Sequence, residues 1–287
     1  MPNLTEIKSR IESVKSTKKI TRAMYLISVS KSKKAKVQLN AMLPYFNQVN
    51  QTLADILHVS GRIESPFLQK RNDPAGKTLY IVLAGDKGMA GGYSHNIYDL
   101  LDKNVDKSKS DLLVAGIMGK NQIKRLGYKV ADDFVYPVMN PTVYRAREVA
   151  EICINKFLTG KYNTVNLIYT TMITPIKQEP VMTQILPLSS DKLLLGHGER
   201  KNSQRFKYEP DPVTVFDHIA PHYLKGEIYG AFVEAYTSEQ HARTYAMDNA
   251  TKSAEEMIER LSLVHNRARQ AKITQEITEI VSGIPTE

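Results

Sequence analysis

Tryptophan is absent from this sequence of 287 residues, and cysteine occurs once. A single cysteine excludes an internal disulfide, so a reducing compartment is the simpler expectation. No window approaches the roughly 20 apolar residues that a membrane-spanning helix needs, and we expect no transmembrane insertion. The first residues have neither the apolar run of a signal peptide nor the acid-poor composition of a transit peptide, so we expect the mature start of a soluble protein.

Glycine and proline are missing from two long stretches near the ends of the chain. The first stretch runs from Asn3 to Leu43, and the second lies between Gly230 and Gly283. Because these two residue types interrupt helices most strongly, both stretches are expected to be helical. A continuous helix of about 50 residues would be roughly 75–80 Å long, far longer than a small domain is wide. We expect Pro44 to bend or end the first helix, with a resumption as far as Gly61.

Both stretches carry small or apolar residues at steps of three or four, the spacing of one helix face. In the N-terminal stretch these positions are Leu4, Ile7, Ile11, Val14, Thr17, Thr21, Met24 and Ser28. In the C-terminal stretch they are Ala231, Ala235, Ser238, Ala242, Ala246, Asn249, Ser253, Met257, Leu261, Val264, Ala268 and Ala271. A seam of this length favours a coiled coil, in which each helix supplies the partner face of the other.

Between the two stretches the hydrophobic period changes to that of short buried strands alternating with helices. The predicted strands cover 78–84, 111–118, 129–135, 164–172 and 181–189. The predicted helices cover 94–104, 120–127 and 141–160, the last with Pro141 in its first turn. This alternation predicts an α/β fold with a parallel sheet. The predicted segments are a coiled-coil helix over 1–61, an α/β domain over 75–189, a polar connection over 190–212 and a second coiled-coil helix over 213–287.

Known catalytic patterns are missing. The glycine-rich loop at 83–96 fits neither the dinucleotide-binding nor the P-loop spacing, so a tight structural turn is the better interpretation. The only cysteine, Cys153, lies in an apolar helical pattern that predicts a buried, inert thiol. Asp217, His218 and His222 cluster near prolines, an arrangement more typical of ordinary turn residues than of a zinc site. We therefore expect no catalytic residue, no bound cofactor and no metal on this chain.

The net charge of +9 is concentrated at the N-terminus. Ten basic residues against two acidic ones occur in residues 1–40. Such a concentration indicates either an acidic partner (nucleic acid, anionic lipid or acidic protein loops) or a solvated helix face. Near the other end, from Arg260 to Gln275, four basic residues occur without an acidic one. There Arg269, Gln270, Thr274 and Glu276 offer hydrogen-bond donors and acceptors around the helix.

Three segments resemble the gamma subunit of F-type (rotary) ATP synthases, and the likeness covers essentially the whole chain. "IKSRIESVKSTKKITRAM" at 7–24 is similar to that family's opening helix. "GDKGMAGGYSHNI" is similar to its conserved glycine-rich turn, although Ala84, Met89, Ala90 and Ser94 replace frequent Ser, Leu, Cys and Asn. The segment "SEQHARTYAMDNATKSAEEMIERLSLVHNRARQAKITQEITEIVSG" is similar to its terminal helix almost residue for residue.

The resemblance implies an antiparallel coiled coil of the terminal helices and a central Rossmann-like domain. It implies a rotor shaft that carries rotation of the membrane c ring to the catalytic beta subunits, for ATP synthesis driven by an ion gradient. The implied partners are the alpha and beta subunits, the epsilon subunit and the c ring, with delta reached indirectly. The absence of a transit peptide favours a bacterial source, so the expected location is peripheral, on the cytoplasmic face of the plasma membrane.

The resemblance also implies site residues. Met24 and Arg243 match positions that the family uses near beta, and the shaft contacts would extend to Arg269, Gln270, Thr274 and Glu276. A basic face would meet acidic beta loops; its members are Lys18, Lys19, Arg22, Lys31, Lys33 and Lys34. The coupling ion, proton or sodium, is not determined by these residues.

Two other classes of function stay open from the residues alone. One is an enzyme with a nucleotide-binding α/β domain, which would bind ATP saturably as an isolated chain. The other is a basic coiled-coil protein that binds nucleic acid or serves as a scaffold, and nucleic-acid affinity would then fall steeply with salt. Neither alternative explains the likeness of the C-terminal segment, and we expect no nucleic-acid partner.

Overall fold

The structure is a computed structural model that describes residues 4–174, 177–195 and 207–283. The helices are α1 (Leu4–Ser60), α2 (Tyr93–Asn104), α3 (Ile117–Arg125), α4 (Val143–Leu158), α5 (Ser190–Leu195) and α6 (Pro212–Ser282). The strands are β1 (Lys77–Leu83), β2 (Ser110–Ala115), β3 (Tyr162–Met172) and β4 (Gln178–Leu186). The predicted α/β class with a mainly parallel sheet and long terminal helices is confirmed.

Two compact units divide the chain. One consists of Met1–Val29 with Arg243–Glu287, and the other of Ser30–Ala242. Helices α1 and α6 therefore contribute to both units. The predicted segments 1–61, 75–189, 190–212 and 213–287 follow the sequence pattern rather than this division, and they stay predictions.

The sheet of the larger unit has the strand order β2-β1-β3-β4. Strand β1 pairs in parallel with β2 and β3, whereas β4 returns antiparallel to β3. Consecutive residues of β1 point to opposite faces, so Ile81 joins the core on one side of the sheet and Val82 the core on the other. Both residues are fully buried, as expected for a central strand covered by helices on both faces.

The predicted strand at 129–135 is wrong. Only Val130 reaches the sheet, through a single parallel bridge to Leu112. Two residues further on, the adjacent Asp132 and Asp133 are both exposed, so the segment cannot alternate between a buried and a solvated face. Two adjacent carboxylates at this edge thus end the pairing after one bridge.

The structure gives three further element ends, one of which corrects a prediction. Helix α1 passes through Pro44 and continues to Ser60, close to the expected limit at Gly61, because the residues that follow Pro44 bury their side chains in the core. Pro141 precedes α4 rather than lying in its first turn, since the hydroxyl of Thr142 caps the helix by accepting the Arg145 N–H. The predicted connection at 190–212 begins with the short helix α5.

Cys153 lies inside the core, with 1% of its surface exposed. Burial raises the pKa of its thiol, because the thiolate would lose its hydration. The predicted burial is confirmed. Within the described ranges, no helix combines the length and apolar character needed to cross a bilayer.

Candidate partner interface on the terminal helices

In the smaller unit, α1 and α6 lie side by side and run in opposite directions. The hydroxyl oxygens of Thr21 and Thr251 are 2.8 Å apart and buried between the helices. One turn away, the ammonium of Lys18 lies 2.9 Å from the carboxylate of Glu255. The residue numbers fall on α1 as they rise on α6, so the pairing is antiparallel.

Small and β-branched side chains form most of the seam between the two helices. On α1 the buried positions of this unit are Ile7, Thr21 and Ser28, and on α6 they are Arg243, Met247, Thr251 and Ala254. Side chains as small as Ser28 and Ala254 allow two helix backbones to approach closely. The hydroxyls of Thr21 and Thr251 each also lie within hydrogen-bond distance of a carbonyl of their own helix, so neither is left unsatisfied.

The predicted seam is wrong at several positions. Thr17, Asn249 and Ser253 are exposed, as is Ala271. On α6 the buried row instead contains Arg243, Met247 and Thr251. The predicted row, through Asn249 and Ser253, is the neighbouring one on the helix surface. Alanine, serine and threonine are frequent on this helix, so small size alone does not identify the facing row.

Helix α6 continues beyond the start of α1. Leu4 lies 14 residues before Lys18, so the level of Leu4 on α6 is about 14 residues after Glu255, at Arg269. From Arg269 to Gly283, every residue whose side chain is described is exposed. The last turns of α6 therefore present an exposed surface beyond the level of Leu4.

This terminal segment of α6, residues 269–283, begins at a group of unpaired cations. Arg260, Arg267 and Arg269 are exposed, and none forms an ion pair with a described residue. Lys272, by contrast, lies 3.6 Å from Glu276. The Thr274 hydroxyl donates to the Gln270 carbonyl at 3.0 Å. Arg269 is therefore the cation of this segment that lacks a counter-charge among the described residues, and Arg260 and Arg267 lie just before it.

The predicted site residues occupy three kinds of environment. Arg269, Gln270, Thr274 and Glu276 share the exposed terminal segment, as their spacing implied. Met24 is half-buried, and Arg243 is only 6% exposed, so packing already covers most of its surface. Their contacts with beta stay predictions.

The predicted basic face is not uniform. Lys18 is half-buried and ion-paired with Glu255, whereas Lys19 and Arg22 are exposed. The Arg22 guanidinium lies 5.0 Å from the centroid of the Tyr25 ring, a cation–π distance. The remaining members, in the larger unit, are exposed: Lys31, Lys33 and Lys34.

Sequence reasoning missed two residues of the seam between α1 and α6, Thr251 and Glu255. Both lie on the α6 row that faces α1, and only the register between the helices shows what each one meets. A search for the buried row of α6 that also considered the positions four residues apart through Met247 would have found Thr251. Nothing in the sequence pairs Glu255 with Lys18 in particular, since α6 also carries Glu256 and Glu259 nearby.

In the larger unit, the glycine-rich loop after β1 is organised by Asp86. Its carboxylate accepts the N–H groups of Ile117 at 3.3 Å, Val138 at 2.7 Å and Met139 at 2.6 Å. Ile117 opens α3, so an internal carboxylate occupies the helix terminus where a phosphate would bind. Close packing adds to this, because a Cβ on Gly119 would lie 2.1 Å from the Ala84 Cβ. The arrangement supports a structural turn.

The histidine cluster also has ordinary partners. Asp217 accepts a hydrogen bond from the Ser65 hydroxyl at 2.5 Å, and His222 Nδ1 lies 2.7 Å from the Tyr45 hydroxyl. Burial, aided by Lys225 and Arg147, lowers the pKa of His222 below the usual range. Within the part of the chain that the structure describes, no three His, Cys, Asp or Glu residues are grouped to hold a metal ion.

The chain combines an α/β sheet with two long terminal helices, and the second helix carries exposed arginines that form no ion pair with a described residue. These features define a class of α/β protein with a candidate partner-binding helix. The profile of the family described as ATP synthase matches residues 3–286. The ATP synthase gamma chain of Ruminiclostridium cellulolyticum is 49% identical over 98% of this chain and 97% of its own length. The gamma chain of Acetivibrio thermocellus is 45% identical over 99% of this chain and 98% of its own length. The chain therefore belongs to the ATP synthase gamma chain family, as the resemblance predicted.

The relatives include one whose name specifies the ion. The gamma chain of Acetobacterium woodii, called sodium ion specific, is 35% identical over 98% of this chain and 97% of its own length. Among solved structures, a Euglena gracilis mitochondrial ATP synthase chain gives a TM-score of 0.66 at 14% identity, covering 97% of this chain and 92% of that one. A central-stalk chain of the Tetrahymena thermophila mitochondrial ATP synthase gives a TM-score of 0.59 at 22% identity. The match covers 80% of this chain and 99% of that one. These structures show that the fold is shared.

Proposed function

We propose that this chain is the rotating central shaft of an F-type ATP synthase. In this role it carries rotation of the membrane c ring to the catalytic beta subunits, where an ion gradient drives ATP synthesis. Family membership over the whole chain supports the general assignment. The single structural observation that carries the mechanical role is the antiparallel pairing of α1 with α6, beyond which residues 269–283 continue as exposed helix.

The paired helices can transmit torque because their contacts resist sliding. A buried hydroxyl pair, Thr21 with Thr251, and an ion pair one turn away fix one register between the helices. Polar groups buried in a helix seam favour one register, because a slip would separate the two hydroxyls and break the ion pair. Two helices held in one register bend and twist together, which a shaft requires.

The terminal segment of α6 is the proposed contact with the beta subunits. Arg269 and Gln270 have exposed side chains, and Arg269 has no counter-charge among the described residues. Thr274 and Glu276 complete the polar surface, and the family likeness adds Met24 and Arg243. Exposed ion pairs contribute only about 0–1 kcal/mol each. Beta loops can therefore contact the segment at each angle of rotation without holding it at one.

The basic residues of α1 are proposed to face acidic loops of beta. Lys19 and Arg22 are available for this in the smaller unit, and Lys31, Lys33 and Lys34 in the larger. Lys18 would exchange or share its carboxylate partner, since it already contacts Glu255. The asymmetric surface would then bias each beta subunit toward a different nucleotide affinity, a set of coupled conformational equilibria.

The remaining assignments follow from this role. The alpha and beta subunits would surround the shaft, and the epsilon subunit and the c ring would bind the α/β unit, with delta linked through the complex. The chain itself would be a non-catalytic subunit without bound nucleotide, metal or nucleic acid. It would be peripheral on the cytoplasmic face of a bacterial plasma membrane.

Truncation after Ala268 tests the proposal. The shortened chain keeps every seam contact described above, so its α1–α6 pairing and its α/β unit should unfold at unchanged temperatures by circular dichroism. In an ATP synthase reassembled with it, ion-driven ATP synthesis should fall by at least about tenfold, equivalent to 1.4 kcal/mol. Unchanged synthesis by the truncated assembly would contradict the shaft role.

Two matched controls sharpen this experiment. Truncation after Gly283 leaves the exposed helix in place and should preserve synthesis. Arg269→Gln removes a cation that forms no ion pair with a described residue, whereas Lys272→Gln removes one already paired with Glu276. Arg269→Gln should therefore impair coupling more than Lys272→Gln, and the reverse order would contradict the proposed contact surface.

A further inference from the structure

Strand β4 is one edge of the sheet, and its sequence shows which backbone groups point outward. In an antiparallel ladder, residue pairs alternate between hydrogen-bonded and non-hydrogen-bonded positions. Pro180 pairs with Thr170 but has no N–H, so its position is a non-hydrogen-bonded one. The residues of the same parity, Met182 and Gln184, therefore direct their N–H and C=O groups away from β3.

The two edges of the sheet differ in the backbone hydrogen bonds that their outer groups form. At the β2 edge, Leu112 exchanges two backbone hydrogen bonds with the segment around Val130, donating to Lys129 at 3.0 Å and accepting from Ala131 at 3.0 Å. At the β4 edge, the described residues supply no such backbone partner for Met182 or Gln184. Proline and charge usually protect an exposed edge, and here Pro180 protects only the start of β4.

A cleft lies on each face of the sheet beside this edge. On the α6 side, a cleft of about 500 Å³ is lined by Thr183 and Ile185 together with Tyr223. On the α2 side, a cleft of about 300 Å³ is lined by Pro180 together with Asn96 and Leu100. Side chains of an added strand would point alternately to the two faces, one set into each cleft. Main-chain hydrogen bonds with alternating side-chain pockets are the pattern of β-strand addition.

The charges of the two clefts define the complementary strand. The larger cleft contains Lys70 and Lys192 against one acid, Glu227, so it has an excess of positive charge. The smaller cleft contains Asp99 and Lys103, which balance. An added strand would fit best with a carboxylate on the α6 side and an uncharged polar residue on the α2 side.

We propose that the outer edge of β4 binds an extended strand of a second polypeptide of the ATP synthase complex, with an acidic side chain directed toward Lys70 and Lys192. The proposal rests on the proposed function for the identity of the complex. The added strand accepts from the Met182 and Gln184 N–H groups and donates to the Pro180 and Met182 carbonyls. The edge thereby becomes an internal strand pair.

Amide hydrogen exchange, measured on the isolated chain and on the purified ATP synthase that contains it, tests this proposal. In the complex, the Met182 and Gln184 amides should exchange at least about 100-fold more slowly than in the isolated chain. The amides of Val181 and Thr183, which point to β3, should be protected in both states. Equal exchange of Met182 and Gln184 in the two states overturns the proposal, as does full protection already in the isolated chain.

A variant pair separates the backbone contact from the side chain. Met182→Pro removes the outward N–H, and Met182→Ala removes the side chain while keeping the N–H. Dissociation of the chain from the complex should accelerate about tenfold with Met182→Pro and change little with Met182→Ala; equal effects would overturn strand addition. If the chain is missing from the purified complex, the proposed function is wrong. If the chain is present but the Met182 and Gln184 amides are unprotected, only the proposal of strand addition is wrong.

Discussion

The hydroxyl oxygens of Thr21 and Thr251 lie 2.8 Å apart, although the two residues are separated by 230 positions in the sequence. The contact is buried, and it requires α1 and α6 to be antiparallel in one register. A shift of one helical turn, about 5.4 Å, would place each hydroxyl opposite an unrelated side chain. The pair therefore fixes the relative position of the helices.

Removal of these hydroxyls should destabilise the helix pair in a non-additive way. Thr21→Val and Thr251→Val should each lower the free energy of unfolding by about 1 kcal/mol, because each leaves one hydroxyl without its partner across the seam. The double variant should lose less than the sum, with a coupling energy of at least about 0.5 kcal/mol. Urea unfolding followed by circular dichroism measures all three, and strict additivity would show that the contact contributes nothing.

Two glycines in α6 should respond oppositely to alanine. A Cβ on Gly226 would lie 2.7 Å from Cδ1 of Phe46, whereas a Cβ on Gly230 would meet no atom within 4 Å. Gly226→Ala should therefore cost about 1–3 kcal/mol through overpacking. Gly230→Ala should be neutral or stabilise the protein by up to about 1 kcal/mol, because alanine favours helix. Thermal unfolding of both variants provides the comparison, and similar shifts would contradict the packing described here.

Asp86 should be necessary for the loop that follows β1. Its carboxylate accepts three backbone N–H groups, so Asp86→Ala should lower the free energy of unfolding by about 2–4 kcal/mol. Exchange of the Val138 and Met139 amides should accelerate in the same variant. Asp99→Asn, a change at a half-exposed carboxylate, is the control. Unaltered amide exchange in Asp86→Ala would show that the carboxylate does not hold the loop.

Asp111 should make the stability of the larger unit depend on acid pH. Burial opposes ionisation of this carboxyl, but hydrogen bonds from Tyr162, Lys161 and Lys77 outweigh it and hold its pKa below the usual range. A depressed pKa stabilises the folded state above the unfolded value of about 3.9, and the contribution disappears as pH falls through the folded pKa. The wild type should thus exceed Asp111→Asn by about 1–2 kcal/mol at pH 6.

The difference between wild type and Asp111→Asn should shrink below about pH 4 and vanish at lower pH. Urea unfolding between pH 2 and pH 7 measures it. Asp132→Asn removes a carboxylate whose side chain is 83% exposed, and its effect should be smaller at every pH. A constant difference for Asp111→Asn down to pH 2 would contradict ionisation as the cause.

A charge at Met24 should impair coupling more than nucleotide affinity. Met24 is half-buried beside the seam and is proposed to face beta, so Met24→Lys places an ammonium where an apolar side chain packs. Coupling of ATP hydrolysis to ion transport should fall about two- to tenfold, with unchanged ATP affinity. Ile20→Lys is the control, since Ile20 is 60% exposed. Equal losses of coupling and of ATP affinity would contradict the proposed position of Met24 at the contact with beta.

The predictable part of the site is the part that depends on local pattern. The exposed run that contains Arg269 and Gln270 could be identified because no acid interrupts it and no apolar stripe buries it. The ion pair of Lys18 with Glu255 could not, because it depends on the register of two helices more than 200 residues apart. The failed strand at 129–135 has a similar cause, since whether Val130 continues the sheet depends on the edge it meets, at Leu112.

Backbone-breaking residues, hydrophobic period and charge determined the α/β class, the two long helices and the basic segments, because these properties act over a few neighbouring residues. The tertiary structure alone decided that Thr21 meets Thr251, that Asp86 holds the amides near Val138, and that β4 is an edge strand antiparallel to β3. Such contacts join distant parts of the chain. Only packing selects them among many combinations of similar local energy.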